Sequence, residues 1–266
     1  MNSSGRASGR IGTRGAVAAL ALAALVGGAP DIVRATPSTT YWTPMTVDIQ
    51  PYGVLHTGVD NYFTVFRKAK DGGGQFPTDV GLTLGVLPFD KLRMEVGVDL
   101  MESSDYPLSF NAKIGVPEDA WFSGQPTLQL GVFNVGTKAD VTNQDVVYAV
   151  IGKSIPGIGR LSAGPYWGNK KVLMDKDGGA ENTGFMVAFD RAFLPVKDRD
   201  GNEFSRIVLA ADYASGKNAI GGGGAGAYWF FTKDISLLTG PVFFNEEAIN
   251  GKWKWTVQFD INTSIF

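Results

Sequence analysis

The residue best suited to acid–base chemistry is the only histidine, His56, in the stretch GVLHTGVDN. A histidine acts as a catalytic base only where one partner orients its ring and another gives up a proton. The sequence offers no serine motif to accompany His56. We therefore interpret His56 as a non-catalytic residue of the interior or rim of a larger structure, and we predict no enzymatic activity.

Two acidic, glycine-containing stretches look like fragments of calcium-binding loops, DKDGGAEN at 175–182 and DRDGNEF at 198–204. A calcium loop of the EF-hand type needs a bidentate glutamate at its twelfth position. Counting from each first aspartate, that position holds Met186 in one case and Leu209 in the other. Asp, Gly and Asn are also common turn residues, so we predict turns here and no metal site.

No cofactor is expected. The glycine-rich stretches at 70–75 and 219–229 do not lead into a helical pattern, as a phosphate-binding loop would. Cysteine is absent altogether, which excludes disulfides, thiol chemistry and thiolate metal sites.

Ionisable residues recur at alternate positions within apolar segments. In RMEVGVDLM the apolar residues from Met94 to Leu100 alternate with Arg93, Glu95 and Asp99. Alternation with a period of two is typical of a strand with one apolar and one polar face. The candidate lumen-facing residues of such strands are His56, Asp60, Arg93, Glu95, Asp99, Lys113, Lys153, Arg160, Asp190, Arg206, Asp212, Lys254 and Asp260.

Twelve segments show this alternation, and most of them are nine to eleven residues long. Strands of globular sheets average about five or six residues, whereas a tilted strand needs about nine to eleven to cross a bilayer. We therefore predict an all-β fold, a single antiparallel up-and-down transmembrane barrel of about 12 strands. The predicted strands are 53–66, 78–87, 93–102, 108–117, 127–136, 145–154, 159–168, 184–193, 206–214, 224–232, 235–246 and 253–265.

The connections between these strands alternate in length, with longer loops after odd-numbered strands. Outer-membrane barrels have short turns at one rim and long loops at the other. Three connections depart from the rule, because SSDYP is short on the side of the long loops, whereas EDAWFSGQP and LPVKDRDGNEFS are long on the side of the short turns.

The N-terminal region has the layout of a secretory signal peptide. Three arginines precede an apolar run at 15–29, and Val33-Arg34-Ala35 suits cleavage before Thr36. We assign residues 1–35 to the signal peptide, residues 36–266 to the barrel domain, and 36–52 to an irregular, proline-containing lead-in. Removing the net +3 of residues 1–35 changes the formal charge from -2 to -5, which gives no reason to expect a nucleic-acid partner.

The last strand, WKWTVQFDINTSIF, alternates and ends on Phe266, and aromatic residues gather near the ends of many segments. In these features the chain resembles the porin-like outer-membrane β-barrel proteins of Gram-negative bacteria. The resemblance implies an outer-membrane location, bilayer lipid as a partner, and a barrel assembly machinery that reads the C-terminal Phe266. Phe266 is out of phase with Ile261 and Ile265, so we expect a bulge near residues 262–264 or a frayed end. A homo-oligomer remains open.

The expected function is a narrow pore for small polar solutes or ions, or a structural barrel. Two alternatives remain open at this point. One is a barrel-embedded lipid hydrolase with His56 as its base, and the other is a secreted soluble β-barrel or sandwich that binds a ligand in its core.

Overall fold

A computed structural model describes residues 40–68, 71 and 76–266 of the chain. The predicted signal peptide, residues 1–35, lies outside these residues. Among the described residues, no helix is long and apolar enough to span a membrane. The elements are β1 (Val54–Phe63), β2 (Thr78–Gly85), β3 (Arg93–Glu102), β4 (Leu108–Val116), β5 (Thr127–Gly136), β6 (Val146–Ile155), β7 (Gly159–Trp167), β8 (Thr183–Lys197), β9 (Glu203–Ala214), β10 (Gly222–Thr232), β11 (Ile235–Phe244), the short helix α1 (Glu247–Asn250) and β12 (Lys254–Ser264).

The twelve strands form one closed, all-antiparallel barrel, as the sequence predicted. Each strand pairs with its sequence neighbours, and β1 pairs with β12 to close the sheet. This closing pair is regular over the whole of β1, from Val54 opposite Ser264 to Phe63 opposite Trp255. Closure leaves the sheet without an open edge, so every strand has a backbone partner on both sides.

The barrel has two different ends. We call the end where β1 begins and β12 ends the terminal rim, and the opposite end the loop rim. The connections at the terminal rim are mostly short turns, whereas those at the loop rim include 64–77 and 168–182. The β8–β9 connection was predicted to be long and is in fact a five-residue turn at 198–202. The two strands extend further than expected, and Lys197 pairs with Glu203 both in register and through a 2.7 Å ion pair.

The strands of the barrel have an apolar face and a more polar face, as predicted, and the apolar face is on the outside of the barrel. Apolar side chains such as Val96, Leu130 and Ile151 face away from the barrel and are exposed, whereas Glu95 and Gln129 face inward and are buried. Part of the interior is nevertheless apolar, since Tyr148, Tyr166, Met186, Tyr228 and Leu238 also face inward and are buried.

The lead-in runs through the inside of the barrel. We call residues 40–51 the strap. The strap contains no helix or strand, and Tyr41, Met45 and Ile49 are buried against the inner wall. It passes from the loop rim to the terminal rim, where Tyr52 bridges to Gly85 and the chain enters β1. The strap thus occupies space that an empty barrel would leave to solvent.

Candidate functional site in the barrel lumen

Backbone hydrogen bonds hold the loop-rim end of the strap. The carboxylate of Asp212 on β9 accepts hydrogen bonds from the backbone N–H groups of Trp42 at 2.8 Å and Thr43 at 2.7 Å. The indole N–H of Trp42 donates to the carbonyl oxygen of Ile220 at 2.8 Å. Asp212 therefore lies on the inward face of β9, where it also accepts a 3.1 Å hydrogen bond from the backbone N–H of Gly224.

A buried ion-pair network holds the other end. The guanidinium of Arg160 on β7 lies 2.8 Å from Asp48 of the strap and 2.8 Å from Asp190 on β8. Further along, the backbone N–H of Gln50 donates to Glu95 Oε2 at 2.7 Å. Charge-assisted hydrogen bonds of this kind are stronger than neutral ones, so they fix the strap to β3, β7 and β8.

Inward-facing glycines make room for the strap side chains. A Cβ atom on Gly224, Gly226 or Gly240 would lie within 2.8 Å of an atom of Tyr41, and one on Gly152 would lie 2.2 Å from Val47 Cγ1. Real Cβ atoms essentially never make non-bonded contacts shorter than 3.0 Å. Close approach of the strap therefore depends on glycine at these positions.

A cavity of about 320 Å³ remains on the other side of the lumen. Strap residues Trp42 and Pro44 form one wall of this cavity, and inward-facing residues of β1 to β4 form much of the rest. Asn134, Ala219, Ile220 and Asn250 bring residues from near the loop rim into the lining, so the cavity reaches toward that end.

The cavity lining is rich in carboxylates. Asp60, Asp79 and Asp99 lie on the three adjacent strands β1, β2 and β3, with Asp60 directly opposite Asp79 in register. Asp99 accepts a 2.7 Å hydrogen bond from the side-chain amide of Asn111. Asp79 Oδ1 is buried and accepts no hydrogen bond from the described residues. Asp79 was absent from the predicted set, although it alternates with Gly81 and Thr83 on the polar face of its strand.

The basic groups of the cavity wall have acidic neighbours. Lys113 Nζ lies 3.4 Å from Glu95 Oε1, and both side chains are almost completely buried. His56 Nε2 lies 3.4 Å from Asp260 Oδ1. Among the described residues, by contrast, no basic side chain forms an ion pair with the clustered carboxyl groups of Asp60, Asp79 and Asp99.

Two side chains of β12 contact the imidazole ring of His56. Its Nδ1 lies 2.8 Å from Asn262 Oδ1, while its Nε2 faces Asp260. Ser236 donates to Asp260 at 3.2 Å rather than to His56. Both ring nitrogens therefore face side-chain oxygens of β12, which hold the ring in the barrel wall.

One predicted lumen residue is misplaced, because Lys153 lies on the outward register of β6 and pairs with Leu161. The inward positions of β6 include Val146, Tyr148 and Val150, so both faces of this strand are apolar and polarity does not tell them apart. Lys153 instead reaches the β4–β5 turn at the terminal rim, where its Nζ lies 2.6 Å from Glu118.

The other basic candidates lie near the rims. Arg93 and Arg206 keep the inward register close to the terminal rim, where Arg206 donates to the carbonyl oxygen of Phe230 at 2.8 Å. Lys254 is buried near the loop rim and lies 3.3 Å from the hydroxyl of Thr64. These three residues do not contribute to the lining of the cavity described above.

The two calcium-like stretches form turns. Asp175 Oδ1 accepts hydrogen bonds from the backbone N–H groups of Asp177 and Gly179, and Asp198 Oδ1 accepts those of Asp200 and Asn202. The side-chain amide of Asn202 donates to Asp198 and is the main reason that the pKa of this turn carboxyl is lowered. Among the residues that the structure describes, no three acidic or histidine side chains are grouped to hold a metal ion.

Phe266 leaves the barrel wall at the terminal rim. β12 pairs with β1 without a bulge as far as Ser264, so the alternative of a bulge at 262–264 is wrong. The exposed ring of Phe266 stacks on Tyr52 at a centroid distance of 5.6 Å and covers Gly53. The phase difference arises because the chain leaves the strand before its last two residues.

No family model matches the sequence, and no curated protein matches it closely enough to be identified as a relative. Solved structures with a similar fold are outer-membrane porins and channels. An outer-membrane channel from Pseudomonas putida F1 is 11% identical, with a TM-score of 0.42, covering 82% of this chain and 98% of the other. A mutant Rh. blastica porin is 11% identical, with a TM-score of 0.40, covering 90% and 71%. Salmonella typhi OmpF in complex with daunomycin is 8% identical, with a TM-score of 0.35, covering 79% and 96%. The chain resembles this class in its barrel fold alone.

Proposed function

We propose that the protein is a β-barrel of a Gram-negative outer membrane that passes small polar solutes or ions through its lumen. The outward face carries this proposal. Leu130 is 61% exposed, Ile151 54% and Phe185 53%, and apolar side chains like these surround the barrel. A closed barrel with an apolar outside and a polar lining suits a bilayer and would be poorly soluble in water.

Aromatic residues support the same orientation in a bilayer. Trp167, Phe185 and Phe243 face outward near the loop rim, whereas Trp121 and Phe231 are exposed near the terminal rim. Tryptophan and other aromatic residues are enriched at both membrane–water interfaces. The aromatic residues near the two rims therefore correspond in position to the two aromatic girdles of a membrane barrel.

The partly filled lumen supports a narrow passage. A cavity of about 320 Å³ holds solutes of the size of an ion or a small polar molecule. Reconstitution into planar bilayers is expected to give small, discrete conductance steps. The absence of steps over a wide voltage range, with insertion verified, would contradict passage of ions.

We predict that the lumen favours cations over anions. Carboxylates along a narrow, low-dielectric passage attract cations and repel anions. Replacing Asp60, Asp79 and Asp99 together with asparagine is expected to lower the cation-to-anion permeability ratio several-fold, measured as the reversal potential in a salt gradient. An Asp177→Asn variant, which removes a loop carboxylate whose side chain is 75% exposed, serves as the control and is expected to keep the original ratio. An unchanged reversal potential in the triple variant would overturn the assignment of selectivity to these residues.

A further inference from the structure

We propose that the strap is a fixed wall of the lumen, which sets the size limit for solutes and confines them to the side lined by β1 to β4. The part of this inference that concerns solute passage rests on the proposed function of the barrel as a pore. The position and rigidity of the strap can be tested without any transport.

The strap and the inner wall are complementary along the whole strap. Tyr41 packs against three glycines of β10 and β11, and its hydroxyl donates to Thr239 O at 2.9 Å. In the middle, the Ser162 hydroxyl donates to Met45 O at 2.6 Å, and the Gln129 side-chain amide donates to Val47 O at 2.6 Å. A segment that fits from end to end in this way has few alternative positions of similar energy.

Charge also ties the strap to this side of the lumen. Undocking would separate Asp48 from Arg160, which would keep only Asp190. It would also remove the two strap N–H groups that donate to Asp212, which would keep only the N–H of Gly224. Losing a hydrogen-bond partner of a buried group costs on the order of 1–3 kcal/mol, and more where the group is charged. We therefore expect the strap to remain docked while solutes pass.

A disulfide lock distinguishes a fixed wall from a moving gate. The chain has no cysteine, so a Val47→Cys/Gly152→Cys double variant would contain a single engineered pair. The Cβ position at Gly152 lies 2.2 Å from Val47 Cγ1, which brings the two Cβ atoms within reach of a disulfide. The oxidised variant is expected to conduct as its reduced form does. If oxidation abolishes conductance and reduction restores it, the strap is a gate and the proposal is wrong.

Widening variants test the size limit. Trp42→Ala removes part of the cavity wall, and deletion of residues 40–46 removes more of the strap while leaving the Asp48–Arg160 pair. Each variant, once shown by a heat-modifiable band to fold, is expected to admit larger neutral sugars in liposome-swelling assays. A Trp121→Ala variant, altered on the exposed terminal rim, is expected to keep the original limit. An unchanged limit in both widening variants would overturn the proposal.

A thiol assay tests the strap when no conductance is found. Ser162→Cys places a thiol beneath Met45, and Met101→Cys places one in the lining of the open cavity. A small water-soluble thiol reagent is expected to label Met101→Cys readily and Ser162→Cys at least tenfold more slowly, and deletion of residues 40–46 should remove this difference. Equally fast labelling with the strap intact would contradict a fixed wall. If Ser162→Cys is labelled slowly but the protein gives no conductance, the proposed pore is refuted and the strap is still a fixed wall of the lumen.

Discussion

Replacing Arg160 with alanine is expected to lower the free energy of unfolding by about 3–5 kcal/mol, the cost of removing one partner from a buried ion pair. The Arg160 side chain is 14% exposed and lies between Asp48 of the strap and Asp190 of β8. Its removal leaves two carboxylates close together without a cation. Denaturant unfolding of the protein in detergent micelles measures the loss.

The exposed Lys171–Asp140 pair provides the matched control for this prediction. Its Nζ–Oδ2 distance of 2.8 Å equals the distances in the Arg160 network, but both side chains are more than half exposed. Exposed pairs contribute about 0–1 kcal/mol, so Lys171→Ala should change stability little. Equal losses in Arg160→Ala and Lys171→Ala would show that the strap network does not stabilise the barrel.

A methyl group at Gly152 is expected to destabilise the protein by about 1–3 kcal/mol, the usual cost of overpacking. Alanine in place of a strand glycine would otherwise be neutral or favourable by about 0.5–1 kcal/mol, because glycine loses more chain entropy on folding. The loss arises from the 2.2 Å approach of the new Cβ to Val47 Cγ1.

A second substitution tests this cause. Val47→Ala removes the clashing methyl groups, so the Gly152→Ala/Val47→Ala variant should recover much of the stability lost in Gly152→Ala. The comparison is made by double-mutant cycle, with each unfolding curve measured in the same detergent. Additive losses in the double variant would contradict direct packing of Val47 against Gly152.

The barrel could be predicted from the sequence because alternation is a local property. In β3 the residues from Arg93 to Leu100 alternate between a polar and an apolar face, and the predicted and observed bounds of the strand, 93–102, coincide. Alternation fails to identify the inward face where both faces are apolar, as in β6, and this explains the misplacement of Lys153. It also gives no warning of a strand that continues through a proline, as β8 does through Pro195 to Lys197.

The strap could be predicted only in part. Three prolines indicated an irregular segment, and residues 40–51 indeed form neither helix nor strand. Its place inside the lumen depends on Gly152, Gly224 and Gly240, which lie far from it and from one another in the sequence. A glycine on the inward face of a strand can be present for several reasons. The fit between these glycines and the strap can therefore be recognised only in the three-dimensional structure.

The location of the mature protein is the most direct test of the account, because every conclusion about the lumen requires the apolar outer face to contact lipid. Cell fractionation followed by denaturing electrophoresis of unboiled and boiled samples makes this measurement. We expect a band in the outer-membrane fraction that migrates differently before and after boiling, as a folded barrel does. A soluble periplasmic protein whose band does not shift on heating would contradict the account.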